Sequence, residues 1–362
     1  MNNPLRFLRR RWTPVAALVL AGAVAMPAAA GQTAEPGGAR HLRVMTHNVY
    51  FGADLTPALA ARDTPSLLAA VSTIWAGVRA TDFSARAEGL ADEIQKARPD
   101  LVGLQEVATW TAAGPGTGPS QDFLAILQRA LQRRGLRYVV ASTSAGTDVG
   151  PIPLTAPCGS TTVGACTLRF QDREVLLVDE RAPGLRWSAP RSGVYQARLT
   201  VPLPVPGVPP VQVIHGWASV EATQRGVPFR FVTTHLETEQ SPAVQRAQAA
   251  EFLAGPVSGA DNVIAVGDFN STVDTYQLLT GQLRDAWTAS PPGFTCCQAA
   301  DLANPAPQLT SRIDLVLLGG AAKAERASVV GAEPFRRTAP RYTSDHAGVT
   351  ADIDWRRPVK KP

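Results

Sequence analysis

The run "VIAVGDFN" ends in Asp268 and Asn270, two residues apart, so on an extended strand both side chains emerge on the same side. The same arrangement recurs along the chain. "RVMTHN" runs out at Asn48, "DLVGLQE" at Glu106 and "FRFVTTH" at His235. "RID" carries Asp314 at the start of another apolar run, and "YTSDH" delivers Asp345 and His346 just before the last one. Singly, each has an ordinary reading as a solvated strand end, a turn or a structural ion pair. Jointly, they supply carboxylates, amides and imidazoles suited to a metal ion and a phosphate.

In this order the motifs resemble those of the endonuclease/exonuclease/phosphatase (DNase I-like) superfamily, in a secreted bacterial form. The pattern consists of Asn48-Val49, Gln105-Glu106, His235, Gly267-Asp268-Phe269-Asn270, Arg312-Ile313-Asp314 and Ser344-Asp345-His346, and the resemblance runs from about Leu42 to Ile353. It implies an α/β fold, a four-layer α/β/β/α sandwich of two mainly antiparallel sheets flanked by helices. It also implies divalent-metal-dependent hydrolysis of a phosphoester. One departure narrows it: abasic-site enzymes carry an acidic residue where Tyr50 stands here.

The expected roles follow from the chemistry of an anionic ester that repels hydroxide. Glu106 and Asp345 are hard oxygen ligands for Mg²⁺ or Mn²⁺, with Asn48 supporting the metal shell. Asp268 orients and deprotonates the attacking water, and Asn270 fixes that water or donates to the phosphate. His346, held and kept basic by Asp314, steadies the developing charge, and His235 contacts the phosphate or assists the leaving oxygen. The expected substrate is a nucleic acid or a phospholipid headgroup, cleaved as by a nuclease or a sphingomyelinase-like phospholipase. The alternatives are an inositol-phosphate-type phosphatase and a catalytically inactive fold used as a binding module. No obligate protein partner is implied, and a monomer is expected.

Strands and helices must alternate to place these groups. Leu42, Val44 and Thr46 alternate against Arg43, Met45 and His47 as in a strand, and Val263–Val266 is a short buried one. Thr56-Pro57 and Thr64-Pro65 predict two helices with threonine N-caps, and Ser241-Pro242 a third with a serine N-cap. Phe83, Ala87, Leu90, Ala91 and Ile94 lie on one helical face, and "SQDFLAILQRALQRRG" is a further amphipathic helix. About thirty residues between Asp54 and the helix near 82 form an insertion, and "VPLPVPGVPP" (201–210) reads as a loop between strands. "GFTCCQAADLANP", just before Arg312, is a candidate rim of the site.

The chain has 362 residues, 45% hydrophobic and 18% charged, an ordinary globular composition. Residues 1–30 combine Arg6, Arg9, Arg10 and Arg11 with an apolar stretch and an alanine run, the form of a signal peptide cleaved near Ala30. This predicts a secreted or periplasmic protein with a flexible mature terminus at 31–40, one domain over 41–356 and a basic tail at 357–362. Four of the five excess positive charges in the net +5 belong to the leader, so the remainder is close to neutral and carries no global field for nucleic acid. In an exported protein the four cysteines favour disulfides, with Cys158–Cys166 the expected pair. Adjacent Cys296 and Cys297 are left to a vicinal disulfide, free thiols or metal, with zinc disfavoured because no histidine is nearby in sequence.

Overall fold

The computed structural model of the chain describes residues 42–156, 158, 163–204, 210–287 and 293–355. The leader, the segment 31–40 and the basic tail lie outside the described residues. Two six-stranded sheets organise the rest. The first runs, in spatial order, Ala322–Val330, Gly348–Trp355, Leu42–Asn48, Leu101–Gln105, Val175–Asp179 and Tyr138–Thr143. The second runs Arg284–Asp285, Asp314–Gly319, Val263–Asp268, Val227–His235, Gly216–Gln224 and Leu185–Val194. Each is antiparallel except for one parallel pair near its centre: Leu42–Asn48 with Leu101–Gln105, and Val227–His235 with Val263–Asp268.

The alternation of side chains along each strand builds three apolar layers. Leu42, Val44, Leu101, Leu176 and Val178 of the first sheet meet Val220, Phe231, Ile264, Val266 and Val316 of the second. One residue along, Met45, Val102 and Leu104 face out onto the helices Thr64–Ala80, Phe83–Ala97 and Phe123–Arg133. On the far side Val263, Ala265, Leu315 and Leu317 face the helices Pro242–Ala254 and Val273–Thr280 through Phe252, Leu253 and Leu279. This is the four-layer sandwich that the sequence implies. Truncating a fully buried leucine such as Leu317 to alanine costs about 2–5 kcal/mol.

The helix starts differ in detail from expectation. Asp63, not Thr64, caps the helix Thr64–Ala80: its carboxylate accepts from the Ser66 N–H at 2.7 Å, while Thr64 Oγ1 donates to the Pro204 carbonyl. Asp54 accepts from the Thr56 N–H, and the helix at Thr56–Leu59 is a single turn. Ser241 makes no side-chain cap bond. At the first of these starts a charged carboxylate one residue upstream caps the helix while the threonine hydroxyl finds a tertiary acceptor.

Outside the sandwich lie a four-stranded sheet (Gln121–Asp122, Thr109–Ala113, Thr167–Gln171, Asp148–Pro153) and a two-stranded ribbon (Leu199–Val201, Val211–Val213). The ribbon straddles the proline-rich stretch, as expected of a loop between strands; its residues 205–209 lie outside the described set. Cys158 and Cys166 are paired with a Cα–Cα separation of 5.8 Å, and Cys296 is paired with Cys297.

Candidate active site

The register of the two parallel pairs fixes where the chemistry sits. Asn48 lies beside Gln105 in the first sheet, and His235 lies beside Asp268, which in turn opposes Asp314, in the second. All therefore gather at one edge of the sandwich. Gly267 makes the last step possible, since a Cβ there would overlap the Thr234 carbonyl of the adjoining strand. Glu106 and Asn270 both take up positive φ (57° and 46°) immediately beyond their strands, turning their side chains back over the edge.

Asn48 joins the two sheets. Its Nδ2 donates to Glu106 Oε1 at 2.9 Å and to Asp268 Oδ2 at 3.0 Å, while its Oδ1 accepts from the Tyr50 N–H. Gln105 does the same one step back, donating to Thr233 Oγ1 at 2.8 Å. The other Glu106 oxygen accepts from the Phe51 N–H. Burial, and then the nearby Asp345 charge, push the Glu106 carboxyl well above the usual carboxylate range. Burial likewise raises Asp345, against the opposing pull of His346 and Arg86. Two carboxylates held in one cleft, both resisting ionisation, are the donor set that a hard divalent cation satisfies.

On the second sheet the groups pair largely with one another, although among the described residues Asp314 Oδ1 and His235 Nδ1 are buried without a hydrogen-bond partner. His346 Nδ1 lies 2.9 Å from Asp314 Oδ2 and 3.7 Å from Asp268 Oδ2, leaving Nε2 on the cleft side. Burial alone would lower the His346 pKa, but Asp314 and Asp268 outweigh it and raise it well above the ordinary value, favouring the imidazolium form. Asn270 donates its backbone N–H to Asp268 Oδ1 at 3.0 Å and its Nδ2 to the Leu236 carbonyl and to His235 Nε2 at 3.1 Å. Burial brings the His235 pKa down to about 3, opposed by Asp268, so this ring is neutral. Because Nε2 accepts from Asn270, its proton sits on Nδ1. Among the described residues, Asp268, Asp314 and His346, and likewise Glu174, His215 and His235, have ligand atoms close enough for a metal; Cys296, Cys297 and His346 are equally close, but the two sulfurs are bonded to each other.

The expected site residues gather here: Glu106, His235, Asp268, Asn270, Asp345 and His346 line one cleft, while Asn48 is fully buried behind Glu106 and Asp268, and Asp314 lies directly behind His346. The "GFTCCQAADLANP" segment forms its rim. Cys296 bridges to both Ser311 and His346, and Thr295 Oγ1 accepts the Ile313 and Asp314 N–H groups. A histidine distant in sequence is near in space, since His346 Nε2 lies 3.9 Å from Cys297 Sγ, but the two cysteines are paired with each other and offer no thiolate to a metal. Arg312 pairs with Asp285 at 2.6 Å rather than with Asp314.

Sequence reasoning missed Arg86. Fully buried, it donates to the carbonyls of Val49, Tyr50, Thr81 and Thr343, tying the loop after Asn48 to the loop that carries Asp345 and His346. Burial lowers its pKa to about 10, which leaves it charged at neutral pH. The signal was an arginine set within the apolar stripe of Phe83 and Leu90. Ser344 was quoted in its motif without a role: its hydroxyl donates to the Asn48 carbonyl at 2.7 Å and accepts from the His346 N–H.

The sequence model of the Endonuclease/Exonuclease/phosphatase family matches residues 45–346. No curated protein matches the chain. Among solved structures it is similar to an endonuclease/exonuclease/phosphatase family protein from Leptotrichia buccalis C-1013-b (13% identity, TM-score 0.55, 86% of this chain and 99% of that one). It is similar to one from Bacteroides thetaiotaomicron (16%, TM-score 0.52, 87% and 95%). It is also similar to D. rerio TDP2 complexed with a single-strand DNA product (18%, TM-score 0.51, 86% and 98%).

Proposed function

From the premise that the chain belongs to the endonuclease/exonuclease/phosphatase family, whose members are usually phosphoesterases, we propose that it is an exported phosphodiesterase dependent on Mg²⁺ or Mn²⁺. The observation that carries this reading is the convergence of Glu106, Asp268, Asn270, Asp314, Asp345 and His346 at one sheet edge, with Asp268 joined to both halves of the site through Asn48. An inactive binding module would have no use for a buried imidazolium faced by two carboxylates.

Glu106 and Asp345 would hold the cation, with Asn48 fixing the Glu106 carboxylate. When bound, a divalent ion neutralises phosphoryl oxygens and stabilises the charge that develops on them. Asp268, oriented by the Asn48 amide at one oxygen and the Asn270 backbone N–H at the other, takes the proton of the attacking water. The His346 Nε2–H donates to a non-bridging phosphoryl oxygen, and Asp314 maintains the charge and tautomer that make this possible. His235 is neutral and turned toward Asn270, so in this arrangement it braces the Asn270 amide and reaches the phosphate through it.

The test is hydrolysis of bis-p-nitrophenyl phosphate by the mature protein. Activity lost to EDTA and restored by Mg²⁺ or Mn²⁺ is the expected result. Activity that survives thorough chelation contradicts the proposal. Export is tested on the purified native protein by intact mass, with a start near Gly31 expected and an uncleaved N-terminus contrary to it.

A further inference from the structure

The cleft of about 780 Å³ that holds these groups has two unlike ends. Beyond the catalytic edge its wall is apolar, and the insertion supplies much of it: Leu55 and Leu59 at the single-turn helix, and Leu67, Val71 and Ile74 from the helix Thr64–Ala80. The outer four-stranded sheet adds Ile152 and Phe170, and the ribbon adds Val201 and Val213. These three elements lie outside the two six-stranded sheets, and together they form one apolar concavity continuous with the catalytic groups.

The charges lining the cleft are equally one-sided. Asp54, Asp172, Glu237 and Glu239 line it in addition to the catalytic carboxylates, and among the described residues no lysine or arginine does. A polynucleotide groove needs cationic side chains along successive phosphates. This lining would repel every phosphate except one neutralised at the catalytic edge. The apolar wall offers side-chain methyl and ring carbons rather than the donors and acceptors that read a base edge.

We propose that the apolar end is a subsite for an aliphatic substituent, and that the substrate is a small amphiphile with a single phosphodiester. The phosphate sits at the edge formed by Glu106, Asp268 and His346, and the hydrocarbon lies between the insertion and the ribbon. This rests on the phosphodiesterase reading. Burial of each methylene in such a wall favours the longer ester by a factor of a few, up to the length of the concavity.

The experiment compares p-nitrophenyl methyl phosphate with p-nitrophenyl decyl phosphate, below micellar concentration and with Mg²⁺. The wild-type KM for the decyl ester is expected to be at least about tenfold lower than for the methyl ester. Ala58→Trp, which fills the wall from the half-exposed turn, and Val213→Asp, which charges the ribbon, should each bring the decyl-to-methyl ratio toward one. Their melting temperatures check folding. Calorimetric binding of decyl methylphosphonate, whose one ester bond could break only by expelling a poor alkoxide leaving group and so turns over slowly, is the second readout. Hydrolysis without chain-length dependence overturns the subsite and leaves the phosphodiesterase reading standing. Binding of the phosphonate without hydrolysis of either ester does the reverse, and failure of both removes both. A ratio unmoved by either variant, or a single-stranded DNA oligonucleotide cleaved with higher kcat/KM than the decyl ester, also overturns the subsite.

Discussion

The two sheets share one plan and finish it differently. In each, a parallel strand pair near the centre of an otherwise antiparallel sheet brings polar strand ends into register. The first sheet ends in Glu106, a carboxyl that burial and its neighbours drive toward protonation. The second ends in Asp268 and Asp314, which face His346 at 3.7 and 2.9 Å; burial raises the Asp314 pKa too, but His346 opposes that rise from within. The same topology therefore yields one half whose buried carboxyls are a donor set suited to a cation and another whose carboxyls face an imidazole of their own. Asn48 hydrogen-bonds a carboxyl group in each half.

The sharpest way to break this comparison is to remove the charge that the second sheet supplies. His346→Ala should lower kcat by about 10²–10³-fold, as for loss of a donor to a developing oxyanion, and excess Mg²⁺ should not restore it. Steady-state kinetics over a Mg²⁺ series checks this. Next, Glu106→Gln should shift the Mg²⁺ concentration for half-maximal activity upward and be partly rescued by more metal. Indifference to metal concentration would erase the distinction between the halves. Asn48→Ala, touching both, should raise the Mg²⁺ requirement by about 10–100-fold and lower kcat as well.

Asp314→Asn should be milder than His346→Ala, and the double variant little worse than His346→Ala alone, because Asp314 acts through the histidine. Additive losses would place Asp314 in contact with substrate. The smallest expected effect is on stability. Burial, then Asp172, raises the Glu174 pKa well above the usual carboxylate value, so the folded state holds a proton that the unfolded chain releases first. Stability contributed at this position therefore falls as pH rises from the ordinary carboxylate range, and Glu174→Gln should raise Tm at pH 8 with little change at pH 4. Equal shifts at both pH values would contradict that sign.

Strand ends were legible because each reads locally: an apolar run followed by Asn48, Glu106 or Asp268 marks both a strand and its polar exit. The face of the helix Phe83–Ala97 was legible from spacing alone, and all five of its expected apolar residues are buried. What sequence could not show depends on distance through space. Arg86 is recognisable as a four-carbonyl tie only once Val49 and Thr343 are brought together, and Cys297 meets His346 across 49 positions. The outer four-stranded sheet and the strand Ala322–Val330 went unread because their strands are short or charged along an exposed face. The insertion gave clear helix signals but no role, since its apolar residues acquire meaning only opposite the ribbon.

The most direct test of the site is Asp268→Ala, with kcat and Tm measured on the same preparation. Asp268 is the point where the bonds from Asn48 and Asn270 converge, and in the proposed mechanism it positions and deprotonates water, so its loss should lower kcat by about 10²–10⁴-fold while Tm moves little. An Asp268→Ala protein that melts early yet turns over at the wild-type rate would make this strand end a structural turn and contradict the assignment of the site.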